Sequence, residues 1–237
     1  MILEKKTLKE AFDKAKLDLT DEQADSLCGY AQMLVEKNKV MNLTAITDPE
    51  GIAVKHFVDS VLPLKLYDIK SNAKIIDVGT GAGFPSVPMC IIRPDLQPTL
   101  IDSLNKRVNF LNEVCREYVP GAEVIHIRAE DGARQKELRE GFDVVTARAV
   151  AGLNVLCEYC LPYAKIGGVF LALKGPDASE ELKAADNALQ ILGAKVKEQI
   201  TYTLPNGEKR TLIVIQKIKN TPGKYPRVGV KIAKQPL

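Results

Sequence analysis

Three glycines at alternate positions, Gly79, Gly81 and Gly83, follow directly behind Asp77 and the apolar run Ile75, Ile76 and Val78. Glycines so placed let the backbone turn sharply and come within contact distance of a bound ligand, where a Cβ would collide. The spacing separates this turn from a dinucleotide fingerprint. That motif is G-x-G-x-x-G, and its third glycine would fall at position 84, which is Phe84. A carboxylate, Asp102, stands 23 residues beyond Gly79, and Arg148 stands between two alanines that offer it no local partner. Lys174 heads the dipeptide Gly175-Pro176. No Ser/His/Asp or Cys/His arrangement accompanies them, and no covalent nucleophile is evident. The chemistry these types suit is binding and orientation of a polar ligand.

Each of these residues sits at the end of a predicted strand. The strand candidates are Lys74–Val78, Pro98–Ile101, Glu123–Ile127, Phe142–Thr146 and Val169–Leu173, separated by segments of helix length. Such alternation predicts a parallel sheet covered on both faces. Ligands bind such sheets beyond the carboxyl ends of the strands. Ile200–Leu204, the Asn206-Gly207 turn and Thr211–Ile218 break the pattern and read as a hairpin. Residues 1–70 show no strand signal. Thr20-x-x-Gln23 is a capping-box pattern, followed by Ala24, Leu27, Cys28, Ala31, Leu34 and Val35 at helical spacing. A second helical stretch spans about Ile52 to Leu64.

The glycine turn behind Asp77 resembles motif I of S-adenosylmethionine (SAM) methyltransferases. That resemblance implies the class I SAM-methyltransferase, Rossmann-like α/β fold: a mostly parallel seven-stranded sheet ending in an antiparallel hairpin strand. The change of pattern along the chain and its charge distribution divide it into an N-terminal helical extension (1–70), a SAM-binding domain (71–218) and a basic C-terminal arm (219–237). Gly79, Gly81 and Gly83 would meet the methionine end of SAM. Asp102 could accept from both ribose hydroxyls, or simply open a helix. Ala129-Glu130, after the third strand, stands where adenine usually lies, although helix-cap chemistry explains an acid there equally.

Composition narrows the setting. The chain has 237 residues and 46% hydrophobic content, enough for a real core. The charged N-terminus is not a signal peptide, and no apolar run reaches spanning length, so a soluble, cytoplasmic protein is expected. Cys28, Cys90, Cys115, Cys157 and Cys160 are odd in number and scattered, which argues against a disulfide framework. Cys157-x-x-Cys160 lies in an apolar helical stretch and reads as buried packing, so no metal site is expected. Residues 1–70 carry a net charge of −2, residues 71–215 of −1 and residues 216–237 of +6. The whole basic excess sits in the last tenth of the chain. A basic, Pro-punctuated tail suits RNA phosphates, or serves only as a solvated tail.

The motifs in combination resemble one family. Asp77-Val-Gly-Thr-Gly-Ala-Gly-Phe-Pro, Leu100-Ile-Asp-Ser with Lys106 and Arg107, Arg128-Ala-Glu, Phe142-Asp-Val-Val-Thr-Ala-Arg-Ala and Leu173-Lys-Gly occur in order. They look like the bacterial small-subunit ribosomal RNA guanine-N7 methyltransferases, the glucose-inhibited division protein B family. Asn42-Leu-Thr, His56-x-x-Asp59-Ser60, Lys224-Tyr-Pro-Arg227 and Pro236-Leu237 match as well. The resemblance implies SAM-dependent methylation of one guanine N7 in 16S rRNA, on the free RNA or the small ribosomal subunit, by a monomer. By matching position, Gly79, Phe84, Ala129, Glu130 and Arg148 should contact or frame SAM. Asn42, His56, Asp59 and Lys174 should surround the acceptor, with Lys224 and Arg227 on RNA. Arg148 is the expected catalytic residue, steering guanine O6 or a flanking phosphate, and Asp59 could offset charge developing on the purine. One departure stands out: the family usually has Gly where this chain has Ser86. A dehydrogenase is disfavoured by Phe84 and the hairpin. An inert RNA-binding or ribosome-assembly protein and a small-molecule methyltransferase remain as alternatives.

Overall fold

The computed structural model describes residues 3–148 and 151–237. Seven strands form one sheet in the order β3-β2-β1-β4-β5-β7-β6. They are β1 (Lys74–Val78), β2 (Gln97–Asp102), β3 (Glu123–His126), β4 (Phe142–Arg148), β5 (Ala164–Lys174), β6 (Ala194–Thr203) and β7 (Lys209–Lys217). The first five pair in parallel, while β7 runs antiparallel to both β5 and β6. The hairpin therefore closes the sheet as its sequence predicts. The order turns back at β1, with β2 on one side and β4 on the other, so their carboxyl ends open a crevice there.

Consecutive strand residues are buried on opposite faces. Ile75, Leu100 and Val144 join one apolar cluster, and their neighbours Ile76, Ile101 and Val145 join the other. That double burial explains why these strands read as continuous apolar runs. Helices cover both sides. On one side lie α1 (Lys5–Lys14), α2 (Asp21–Met41), α5 (Ser86–Ile92) and α6 (Asn105–Tyr118); on the other lie α8 (Leu153–Cys160) and α9 (Ser179–Leu192). Leu34, Phe57 and Val61 pack in the same cluster as β1, so the N-terminal extension shares the sheet's core instead of forming its own.

Two local features aim the site. The capping box of α2 is formed, with Thr20 and Gln23 exchanging bonds, and α2 stops at Asn42 in the left-handed region (φ 50°). The expected single helix over 52–64 is instead a short turn α3 (Pro49–Gly51), a π-helical stretch (Ile52–Val58) and α4 (Asp59–Leu66). Widened turns of this kind recur at functional sites. Here the widened turn carries His56 and the following α4 carries Asp59, both buried. Cys157 and Cys160 are buried in α8, as the apolar spacing implies.

The C-terminal segment is no free arm. Tyr225 and Ile232 are buried. Arg139 donates to the carbonyls of Thr221 and Tyr225, and the Thr221 amide donates to Glu140. Arg227 forms a two-pronged pair with Glu158 of α8. Lys217 is fully buried on the Leu161 carbonyl and Glu140, and burial draws its ammonium down to about 8. Two of the six cations in residues 216–237, Lys217 and Arg227, are thus paired internally, and Arg227 is one of the two expected on RNA. Among the described residues, no helix is long and apolar enough to cross a membrane.

Candidate functional site

Two cavities meet at the carboxyl ends of β1, β4 and β5. The first, about 390 Å³, lies over the glycine turn and is lined by Thr44, Gly79, Gly81, Phe84, Asp102 and Arg107, with His56 and Arg148. The second, about 550 Å³, is lined by Lys55, Asp59, Lys174, Glu181, Glu208 and Arg210, again with His56 and Arg148. His56 and Arg148 therefore form the wall between them.

The turn is built for close approach. Gly81 has φ +65°, and a Cβ there would meet nothing within 4 Å, so its backbone faces open cavity. Gly83 has φ +109°, and a Cβ would lie 2.7 Å from Val87 and 2.9 Å from the Tyr30 hydroxyl. Beneath the turn, buried Asp77 accepts from the Thr80 hydroxyl (2.8 Å) and the Ser86 amide (3.3 Å) through Oδ2. Its Oδ1 has no partner among the described residues. Burial raises the Asp77 carboxyl to about 6, against the pull of Thr80, Ser86 and Thr146. Ser86 fits without disturbance. It opens α5, is fully buried, and its hydroxyl lies 3.1 Å from that of Thr146.

At the end of β2, Asp102 holds the turn from the side, accepting from Gly81 N (3.0 Å) and Leu104 N (2.8 Å). Ala129 and Glu130 do not line this cavity. Glu130, in the single turn α7 (Ala129–Gly132), is buried against Gly229 at the start of α10 (Gly229–Lys234), where a Cβ would overlap its carboxylate, and the Ala129 carbonyl accepts from Tyr163. The tail thus covers the place where adenine is expected.

The dividing wall is a stack. The His56 and Phe84 rings lie 4.4 Å apart at 9°, Tyr30 lies 5.5 Å beyond Phe84, and the Arg148 guanidinium is 4.9 Å from the Phe84 centroid. Arg148 Nη2 donates to His56 Nδ1, so Nε2 carries the imidazole proton and gives it to Thr44 Oγ1 (2.8 Å). Burial and the adjacent guanidinium hold His56 down to about 3, so it stays neutral.

Arg148 is not the unpartnered cation its alanine neighbours suggest. Nη1 donates to the Lys55 carbonyl (3.1 Å), Ser60 (3.2 Å) and Asp59 (3.4 Å). Nε and one Nη2 hydrogen have no partner among the described residues. Its neighbour Ala149, part of the same motif, lies outside the described residues. Asp59 also accepts from Tyr202 (2.8 Å) and lies 3.9 Å from Arg210. Its charge is already matched, so Asp59 orients Arg148 and has none left to offset a cation forming in the second cavity. Lys174 lines that cavity, donating to Glu181 (2.7 Å) and the Ala151 carbonyl. Asn42 lines neither cavity, serving as the exposed stop of α2. Lys224 is exposed, its ammonium over the Tyr225 ring, and Arg227 is held by Glu158.

Sequence reasoning missed Tyr30, Tyr202, Arg210 and Glu181. The first looks like one more apolar-face residue of α2. The hairpin residues reach the site only because β7 inserts beside β5. Among the described residues, no cluster of three or more His, Cys, Asp or Glu could hold a metal.

This geometry agrees with what the chain resembles. The family model described as GidB, rRNA small subunit methyltransferase G, matches residues 23–212. Proteins named ribosomal RNA small subunit methyltransferase G are 48% identical in Desulforamulus reducens, over 98% of this chain and 97% of that one. The protein of that name from Alkaliphilus oremlandii is 46% identical over 98% of both chains. Among solved structures, a 16S rRNA adenine-N1 methyltransferase from Catenulisporales acidiphilia superposes with TM-score 0.53 at 13% identity, covering 63% of this chain and 90% of that one. A SAM-dependent O-methyltransferase from Thermotoga maritima gives 0.50 at 16% identity, covering 79% and 72%. Those two likenesses concern the fold, which is that of SAM-dependent methyltransferases. At 46–48% identity over nearly its whole length to the relatives above, the chain belongs to the rRNA small subunit methyltransferase G (GidB) family.

Proposed function

We propose that this chain transfers a methyl group from SAM to N7 of one guanine in 16S ribosomal RNA. The observation that carries the reading is the shared wall: one cavity over a glycine turn, a second lined by both cations and carboxylates, and, among the described residues, only His56 and Arg148 lining both. The residues fit the cofactor, because Gly81 leaves room where a side chain would fill the cavity. Gly79, Gly81, Gly83 and Phe84 would frame its methionine end and Asp102 its ribose. Ala129 and Glu130 lie outside that cavity, beneath α10, and are left out of the proposed cofactor frame.

When bound, SAM supplies a methyl carbon attached to a positive sulfur. Guanine N7 carries a free lone pair and no proton, so the acceptor needs orientation and electrostatics and no general base. Neutral His56 suits that demand, since it adds no charge beside a purine about to become cationic. Arg148, fixed by Asp59, Ser60 and the Lys55 carbonyl, retains donors for O6. Lys174 and Arg210 line the entry, with exposed Lys224 available to phosphates. The partner is the small subunit or its RNA, which places the work of this monomer in the cytoplasm.

The test is transfer of labelled methyl from SAM to small-subunit particles lacking the modification, with the product nucleoside identified by mass and retention. Label in 7-methylguanosine is expected. Label in another nucleoside overturns the acceptor atom. No label, despite calorimetric binding of SAM, favours an inert RNA-binding protein.

A further inference from the structure

Guanine carries opposite hydrogen-bond chemistry on its two edges. N7 and O6 accept on one edge, while N1–H and the N2 amino group donate on the other. If N7 meets the wall formed by His56 and Arg148, the donor edge faces the far side of the second cavity. That side must supply an acceptor, or buried donors go unpaired.

Three carboxylates line the cavity. Asp59 is saturated, with Oδ1 accepting from Tyr202 and Oδ2 from Arg148. Both Glu208 oxygens are engaged, Oε1 by Lys55 and Asn206 and Oε2 by Arg210. Glu181 differs. Its Oε2 accepts from Lys174 Nζ (2.7 Å) and from the amide of Leu153, first residue of α8 (2.8 Å). Its Oε1 accepts from no described residue. One oxygen is thus anchored by an ammonium and a backbone amide, and the other is left without a partner among the described residues on a side chain that lines the cavity.

We propose that Glu181 is the specificity residue for the acceptor base, its Oε1 accepting from the N2 amino group and N1–H of guanine. The assignment rests on the proposed function above. It also predicts rejection of adenine, whose N1 is an acceptor and would face the carboxylate. Lys174 becomes the group that holds Glu181 in place.

The experiment compares two substrates: small-subunit particles reconstituted with guanine, or with inosine, at the methylated position. Inosine lacks only the N2 amino group and keeps N7, O6 and N1–H. The wild-type enzyme should favour guanine by about 100-fold in kcat/KM, the order expected when a polar site loses its partner. Glu181→Gln should lose most activity on guanine and bring the guanine-to-inosine ratio close to one, with SAM affinity unchanged by calorimetry. Glu181→Asp, which keeps the charge but shortens the reach, should give an intermediate ratio and guards against a Gln variant that folds poorly. An equal fall on both substrates would mean that Glu181 only braces α8 and Lys174, and would overturn the proposal. Wild-type indifference to inosine would overturn it too. If wild-type enzyme methylates neither substrate, the proposed function itself fails.

Discussion

His56 lies face to face with Phe84, ring centroids 4.4 Å apart and planes 9° from parallel. One ring comes from the π-helical stretch before α4, the other from the glycine turn after β1. The N-terminal helices thereby contact the glycine turn directly, and Tyr30 of α2 extends the contact by donating its hydroxyl to the Ala82 carbonyl. The proposed acceptor side and the proposed cofactor side of the molecule share one stack.

Removing that hydroxyl tests the contact. Tyr30→Phe leaves the Ala82 carbonyl without its buried donor, a loss of about 1–3 kcal/mol. Calorimetry should show SAM binding weakened several-fold and thermal unfolding at lower temperature. Unchanged affinity would mean that α2 does not brace the turn.

Arg148→Lys keeps the charge but loses the planar fork that reaches Asp59, Ser60, His56 and the Lys55 carbonyl together. The account expects kcat to fall by roughly 100-fold or more, as when an oriented electrostatic group is removed. RNA affinity measured by filter binding should change little. A variant with wild-type kcat would remove Arg148 from the reaction.

The pH dependence of stability has a defined sign. Asp77 holds its proton up to about 6 in the folded state, against 3.8 as its ordinary value. Folding therefore binds a proton in that window, and this contribution falls as pH rises from about 4 to about 6. His56 acts oppositely: held at about 3 against an ordinary 6.5, it contributes stability present above 6.5 and lost as pH falls towards 3. Asp77→Asn removes the first slope. Relative to wild type, its stability should improve between pH 4 and 6 by on the order of 2–3 kcal/mol, read from denaturant unfolding. A constant difference across that range would contradict a buried carboxyl titrating near 6.

The tail separates structural from RNA-facing cations. Arg227→Ala exposes no new phosphate contact but leaves the buried Glu158 charge without its guanidinium, held only by the backbone amide of residue 227, so it should lower the melting temperature and leave the salt slope of RNA binding intact. Lys224→Ala, at an exposed position, should reduce that slope by about 0.7–0.9 with little effect on melting. The reverse pattern would make Arg227 the RNA contact.

Much of the fold was legible in the sequence, because the strands are short apolar runs that break at glycine or a polar residue. Lys74–Val78 matches its strand to the residue, and the Thr20 box and the Asn206-Gly207 hairpin formed as their local chemistry requires. What failed was non-local. Arg148 looks unpartnered among alanines, yet finds its partners some 90 positions away in His56, Asp59 and Ser60. The tail's charge count could not reveal that Glu158 and Glu140 absorb part of it. Glu181 gave no signal because an acid in the first turn of a helix is ordinary cap chemistry.

The most direct test of the central claim exploits the product. Methylation at N7 makes guanine cationic, and borohydride reduction followed by aniline then cleaves the chain at that nucleotide alone. After incubation with enzyme and SAM, small-subunit RNA should show a single new break, absent without SAM and strongly reduced with Arg148→Lys. RNA that accepts labelled methyl yet resists scission would contradict the account, because the methyl would then lie on another atom.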